Sequence, residues 1–231
     1  MALSLRLQTL CDTVSPCGSL CDVGCDHGYV SIELARTGKA KKILAMDINE
    51  GPLKSAVANI NRAGLSDSIE TRLSNGLHNI EAGESFDTIL IAGMGGRLME
   101  EILTEGLETA SKAKQLLLQP QSEIFLVREF LRNHGFGIFR EICLKDAGKY
   151  YFIIDARRDV PVSVPEDVFF FDRYSKYLID KKDGLYREFL LTGLKNNEKY
   201  IKQAGEGNIE SLTLEKENLE RALNLMDRKG N

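Results

Sequence analysis

Two apolar segments, GIFREICLKD (137–146) and KYYFIIDARR (149–158), are separated only by Ala147 and Gly148. Two residues cannot carry a crossover between parallel strands, so the pair must form an antiparallel hairpin. Upstream, the pattern differs. Strand segments are expected at SLCDV (19–23), KILAMDI (42–48), IETRLS (69–74), FDTILIA (86–92) and KQLLLQP (114–120). They alternate with amphipathic helices at 29–37, 51–63, 97–109 and 122–133, after a leading helix over Ser4 to Val14. Pro52 suits a first helical turn, and Gly38, Gly64 and Gly135 suit positions just past helix ends. Strands rich in Val, Ile and Leu between helices predict a mostly parallel sheet covered on both faces. The terminal hairpin separates this chain from dinucleotide-binding dehydrogenases, whose sheets end on another parallel strand.

VPVSVP (160–165) is an extended, proline-marked joint. It divides the chain into an α/β unit, 1–159, and a helical appendage, 160–231. Helices are expected at 166–182, 185–204 and 208–228. Leu191, Leu194 and Ile201, then Ile209, Leu212, Leu219, Leu223 and Met226, predict an antiparallel helical hairpin or short coiled coil.

The first strand runs into Gly24-Cys25-Asp26-His27-Gly28 and then a helix. Such a turn gathers bare backbone and free helical N–H groups. A pyrophosphate loop reads G-x-G-x-x-G, whereas here Asp26 replaces the second glycine and Asp22 ends the strand. Two acids repel a phosphate and suit an adenosine-bearing cation; S-adenosylmethionine has a sulfonium, an ammonium and no phosphate. Asp47 ends the second strand, where an acid accepts from ribose hydroxyls; the alternative is a cap for the helix at Pro52. Ile48 follows it. Asn75 and Gly76 in LSNG either face the adenine edge or form a plain turn. IAGMGG (91–96) brings Ala92, Gly93 and Met94 to the fourth strand's end. Its glycines leave a slot for a flat substrate, and the Asn/Asp-Pro-Pro-Tyr/Phe run of exocyclic-amine methyltransferases is absent. Cys17, Cys21 and Cys25 lack a C-x-x-C pair and are expected to be structural thiols, not metal ligands.

Charge and composition narrow the setting. The 231 residues carry a net charge of -4, five cysteines, no apolar run of bilayer length and no recognisable signal segment. A cytoplasmic monomer with reduced thiols and no membrane contact is expected. The net charge gives no overall basic footprint and argues mildly against nucleic acid. Lys181, Lys182, Arg187, Lys195, Lys199, Lys202, Arg157 and Arg158 are the clustered cations from which a local RNA-facing patch would be built, although acids nearly balance them on the appendage.

As a set, DVGCDHGY (22–29), AMDIN (45–49), SNGL (74–77), IAGMGG (91–96), LLQPQ (117–121), NHGF (133–136) and GKYYFII (148–154) resemble the bacterial tRNA (adenine-22, N1) methyltransferases, the TrmK family. The resemblance implies a class I methyltransferase (Rossmann-like) sheet with a coiled-coil appendage. It also implies transfer of methyl from S-adenosylmethionine to ring nitrogen N1 of an adenine in the tRNA D-arm. Cofactor contacts are then expected from Asp22, Gly24, Asp26, His27, Gly28, Asp47, Ile48, Asn75, Gly76, Ala92, Gly93 and Met94. Catalytic-site candidates are Asp26, accepting from the adenine amino group, then His27, Met94, Gln119 and Tyr150, the last stacking on a base. The competing function is a class I methyltransferase acting on another RNA, a protein or a small molecule.

Overall fold

The computed structural model describes residues 3–203, 205 and 208–228. Strands β1 (Cys17–Val23), β2 (Ala40–Asp47), β3 (Ile69–Leu73), β4 (Thr88–Met94) and β5 (Gln115–Pro120) are parallel. The hairpin β6 (Gly137–Asp146) and β7 (Lys149–Arg157) completes a seven-stranded sheet in the order β3-β2-β1-β4-β5-β7-β6. β7 lies between β5 and β6, antiparallel to both. Strand order reverses between β1 and β4, so the carboxyl ends of these neighbours open a crevice at the switch point.

Side-chain alternation separates the two faces. Leu20, Ile43, Ala45 and Ile153 pack beneath α1 (Leu5–Thr13), α2 (Tyr29–Arg36) and α3 (Glu50–Ala63). Cys21, Val23, Leu44, Met46 and Ile154 pack beneath α4 (Gly96–Glu105), α5 (Leu107–Lys112) and α6 (Ile124–Asn133).

The expected helix over 97–109 is broken at Gly106. There a Cβ would lie 2.5 Å from Leu77 Cδ1, so the close packing of the SNGL segment takes the place of a continuous helix. β4 also runs later than expected, because the IAGM segment continues pairing with β5 past a register shift between Ala92 and Met94.

Beyond the joint, the expected helix over 166–182 is two short ones, α7 (Val168–Arg173) and α8 (Lys176–Asp180). Ser175 between them caps Leu178 N–H through its Oγ, and its own N–H donates to Tyr186 Oη at 3.1 Å. α9 (Gly184–Gln203) and α10 (Ile209–Asp227) are antiparallel, with Arg187 paired to Asp227 at 3.3 Å and Glu198 to Lys216 at 3.4 Å. Ala204, the expected end of the first of these, lies outside the described residues. Cys143 and Phe152 of the hairpin share a third apolar cluster with Phe170, Tyr186, Leu190 and Leu223. Nearby, buried Arg128 of α6 forms a two-bonded pair with Glu141 of β6 (3.0 and 2.8 Å) and donates to the Asp172 carbonyl at 2.7 Å. None of the described helices is long and apolar enough to cross a membrane.

Candidate active site

The turn after β1 is locked to β2 by backbone. Gly24 and Cys25 N–H both donate to Met46 O at 2.8 Å. Gly24 (φ +75°) and Asp26 (φ +52°) are left-handed, a conformation that glycine adopts freely and Asp tolerates. A Cβ on Gly24 would fall 2.3 Å from Met94 Cε, so the bare backbone lets the β4 end close over the β1 turn.

A cavity of about 420 Å³ opens at these strand ends. Asp22, Gly24, Asp26 and His27 line it from β1, Asp47 and Ile48 from β2, Asn75 and Gly76 from β3, and Ala92, Gly93 and Met94 from β4. Four strand ends thus bring together eleven of the twelve expected cofactor residues. Ile48 is 58% exposed there, a bare aliphatic face beside a buried acid. Asp47 holds the second strand to the turn: its Oδ2 accepts from Asp26 N–H (3.1 Å) and its Oδ1 from Asn49 N–H (2.9 Å). Each oxygen keeps a lone pair for a further donor.

Asp22 is 5% exposed and accepts from Ser31 Oγ at 2.6 Å. Burial raises its pKa to about 6; Ser31 partly offsets this, and the Asp47 charge adds to it. Among the described residues, Asp22 and Asp47 have hydrogen-bond donors but no ion-pair partner. These carboxylate acceptors fit a cationic ligand bearing a diol, and two buried acids fit a phosphate poorly. Asp26 is open to solvent, with His27 Nε2 3.5 Å from its Oδ1.

Three expected residues lie elsewhere. Gly28 is left-handed (φ +72°) at the start of α2, and its Cβ position is 3.3 Å from Ala56; it lets α2 approach α3 and does not line the cavity. Gln119 is fully buried, its Oε1 accepting from Arg6 Nη1 at 2.8 Å and its Nε2 donating to Pro120 O at 3.2 Å. With both ends engaged it positions Arg6 and leaves no free edge for a base. Tyr150 points to the other face of the sheet, where its hydroxyl donates to Glu188 at 2.8 Å and its ring meets Phe189 edge-on. The alternation of β7 turns Tyr151 to the α1 side of the sheet instead, where its ring centroid lies 5.5 Å from the Arg6 guanidinium. The glycine slot is also narrower than expected: Cβ atoms on Gly95 and Gly96 would meet Ser122 Oγ at 3.1 Å and Glu123 O at 2.3 Å. Those glycines admit the β5–α6 loop, and only Gly93 faces the cavity.

Arg6, Tyr29, Ser74 and Gln121, absent from the expected set, also line the cavity. Arg6 arrives on α1, whose Arg6 N–H donates to Asp146 Oδ2 at 3.0 Å across the hairpin tip. No spacing in the chain announces that contact. Cys11, Cys21, Cys25 and Cys143 are buried, and burial pushes the Cys11 and Cys143 thiols up to about 12. Of the candidate RNA-facing cations, Arg157 pairs with Asp155 at 2.9 Å, Arg158 stacks on Phe136, and Arg187 pairs with Asp227. Lys195, Lys199 and Lys202 are exposed along α9.

The methyltransferase-domain family model matches residues 3–154. A Bacillus subtilis tRNA (adenine(22)-N(1))-methyltransferase is 34% identical over 156 residues, 68% of this chain, and the match spans 65% of that relative's length. Among solved structures, a Streptococcus pneumoniae protein assigned as a tRNA (m1A22) methyltransferase, in complex with S-adenosyl-L-methionine, is 32% identical with a TM-score of 0.86. That match covers 96% of this chain and 100% of that one. The B. subtilis m1A22 tRNA methyltransferase TrmK is 27% identical with a TM-score of 0.83, over 96% of this chain and 99% of that one. The family model covers more than half of the chain, which therefore belongs to the methyltransferase-domain family and is similar over most of its length to tRNA (adenine(22)-N1)-methyltransferases.

Proposed function

We propose that the protein transfers the methyl group of S-adenosylmethionine to N1 of adenine 22 in the tRNA D-arm. The observation that carries this reading is the convergence of Asp22, Asp26 and Asp47 on one cavity built from bare backbone at Gly24 and Gly93. In this reading Asp22 opposes the cofactor ammonium and Arg6 its carboxylate, while Asp47 accepts from the ribose hydroxyls. Ile48 covers an adenine face and Asn75 meets its edge. When bound, the cofactor supplies an electrophilic methyl on a sulfonium.

Adenine N1 has an in-plane lone pair and needs no base to expose it, so the protein's part is alignment and exclusion of water. Met94 and Gly93 border the space beside Gly24 where the acceptor base would lie. Asp26, solvent-facing and rigidly turned, accepts from the exocyclic amine and offsets the positive charge gained by the methylated ring. His27 flanks it. N1 sits on the Watson–Crick edge, so the target base must leave its stack or lie in tRNA structure that already exposes it. Residues 1–159 then form the cofactor-binding unit and 160–231 the tRNA-contacting appendage, with α9 and α10 acting as a coiled-coil arm of a cytoplasmic monomer.

The test is methyl transfer by the purified protein to a tRNA pool, mapped by nucleoside and position. N1-methyladenosine at position 22 is expected. Product at the exocyclic nitrogen, or no transfer to tRNA, overturns the reading.

A further inference from the structure

The cofactor cavity has a direction. In the reading above, Asp47, Ile48 and Asn75 hold the adenosine half at the β2 and β3 side, and the sulfonium lies by Gly24 after β1. In the strand order β3-β2-β1-β4-β5, the acceptor then lies towards the ends of β4 and β5. Gln121, the first residue after β5, lines that end of the cavity.

A Cβ on Gly93 would lie 3.7 Å from Gln121 Nε2 and 3.8 Å from Arg6 Nη1. Two side chains thus overlook this bare glycine from different layers, Arg6 on α1 and Gln121 on the loop that enters α6. They differ in their engagements. Arg6 Nη1 already donates to Gln119 Oε1 at 2.8 Å. The Gln121 carboxamide has no hydrogen-bond partner among the described residues, although its backbone is fixed by an N–H bond to Met94 O at 2.8 Å. The loop is held again one residue on, where Ser122 O accepts from Gly96 N–H at 2.9 Å. A free amide on a fixed backbone, at the acceptor end of the cavity, is equipped to read a base.

We propose that Gln121 determines specificity by reading the Hoogsteen edge of the acceptor adenine, its Oε1 accepting from the N6 amine and its Nε2 donating to N7. The inference rests on the adenine-N1 reading above and adds the edge by which the base is chosen. A glutamine carboxamide pairs with adenine N6 and N7 in two parallel hydrogen bonds. That edge lies away from N1, so the contact leaves the attacking lone pair free. The amine has two hydrogens: the one beside N7 goes to Gln121, and the one beside N1 stays for Asp26. Guanine presents two acceptors, O6 and N7, on the same edge, and an amide turned either way sets its oxygen against one of them. Pyrimidines have no N7. Enzymes that act on an extruded base select it by hydrogen bonds of this kind inside the pocket.

The test compares full-length wild type and Gln121→Ala on tRNA with adenine or 7-deazaadenine, which has carbon in place of N7, at position 22. The readouts are single-turnover methylation, S-adenosylmethionine affinity and melting temperature. Gln121→Ala is expected to slow methylation of the adenine tRNA about tenfold, the scale of one bidentate base contact, and that of the 7-deazaadenine tRNA less than about twofold. Its cofactor affinity and melting temperature should match the wild type, because the side chain is exposed. Gln121→Glu, which keeps the bulk but sets an acceptor against N7, should slow the adenine tRNA at least as much. An equal loss on both tRNAs means a contact other than N7 and overturns the proposal. So does a matching loss of cofactor affinity, which would assign the carboxamide to the methionine carboxylate beside Arg6. Undiminished methylation by both variants overturns it too. In each of these cases wild-type transfer to N1 of adenine 22 stands. A wild type that forms no N1-methyladenosine at position 22 removes the underlying reading, and the edge contact with it.

Discussion

Asp47 and Asp22 share a cavity but differ in how their charge is held. Asp47 accepts two backbone N–H groups and ties the β1 turn to β2. Asp47→Ala is expected to weaken S-adenosylmethionine binding by about 1.5–3 kcal/mol, the scale of charge-assisted hydrogen bonds. Calorimetry giving wild-type affinity for a folded variant would remove Asp47 from the site. Asp22 has only Ser31 Oγ, and its pKa rises from 3.8 to about 6. A raised carboxyl pKa means that the folded protein bears an ionisation penalty above pH 6, relieved as pH falls through 6 towards 3.8. A bound ammonium reverses the preference, so cofactor binding near pH 5.5 should expel a proton, and affinity should climb from pH 5 to a plateau near 7. Calorimetry at pH 5.5 in buffers of different ionisation enthalpy measures that proton; none released would sever Asp22 from the cation. Asp26→Asn should keep cofactor affinity within about twofold yet slow turnover at least about tenfold, because its carboxylate serves the developing charge on the base. Single-turnover methylation separates the two effects. Both aspartates at strand ends were legible from spacing. The Arg6 contact was not, because it joins α1 to β5 and the hairpin tip through folding alone.

At the scale of elements, the hairpin supports both halves of the molecule. One face of β7 sends Ile153 under the α1–α3 layer, while the other sends Phe152 to the appendage and Ile154 under α4–α6. The expectation that Tyr150 meets a base fails for this reason: which face of the sheet it takes depends on the register of β7 against β5, which local sequence does not specify. Glu141 of β6 carries the buried pair with Arg128 of α6. Glu141→Leu leaves that guanidinium charged and unpaired, and should lower stability by about 3–5 kcal/mol; combining it with Arg128→Met should recover most of the loss. Urea unfolding of the two variants decides, and equal destabilisation of single and double variants would refute the coupling.

For the whole molecule, the proline-marked joint is a change of sequence pattern but not a gap in packing. Cys143 and Phe152 of the hairpin are buried with the helices, and Arg128 donates to the Asp172 carbonyl beyond the joint. A fragment ending at residue 159 is expected to fold around its complete sheet and bind S-adenosylmethionine within about threefold. It should melt earlier and methylate tRNA at least about tenfold less efficiently, having lost apolar burial and the docking surface. Thermal melting with cofactor titration and tRNA kinetics measure all three effects. An unfolded fragment would show that the two units share one core, and full tRNA activity would exclude the helices from docking.

The order of strands and helices, the terminal hairpin and the acids at the ends of β1 and β2 were determined by the sequence alone. Each is written locally: in apolar periodicity, in a two-residue turn, and in an acid where a strand stops. Helix breaks at Gly106 and Ser175 were decided by tertiary structure, because contacts with Leu77 and Tyr186 outweigh continuous helical patterning. So were the withdrawal of Gln119 into a bond with Arg6 and the turn of Tyr150 toward Glu188 and Phe189 of the appendage. Those outcomes depend on which side chains meet across distant segments, and proximity of that kind exists only once the chain has packed.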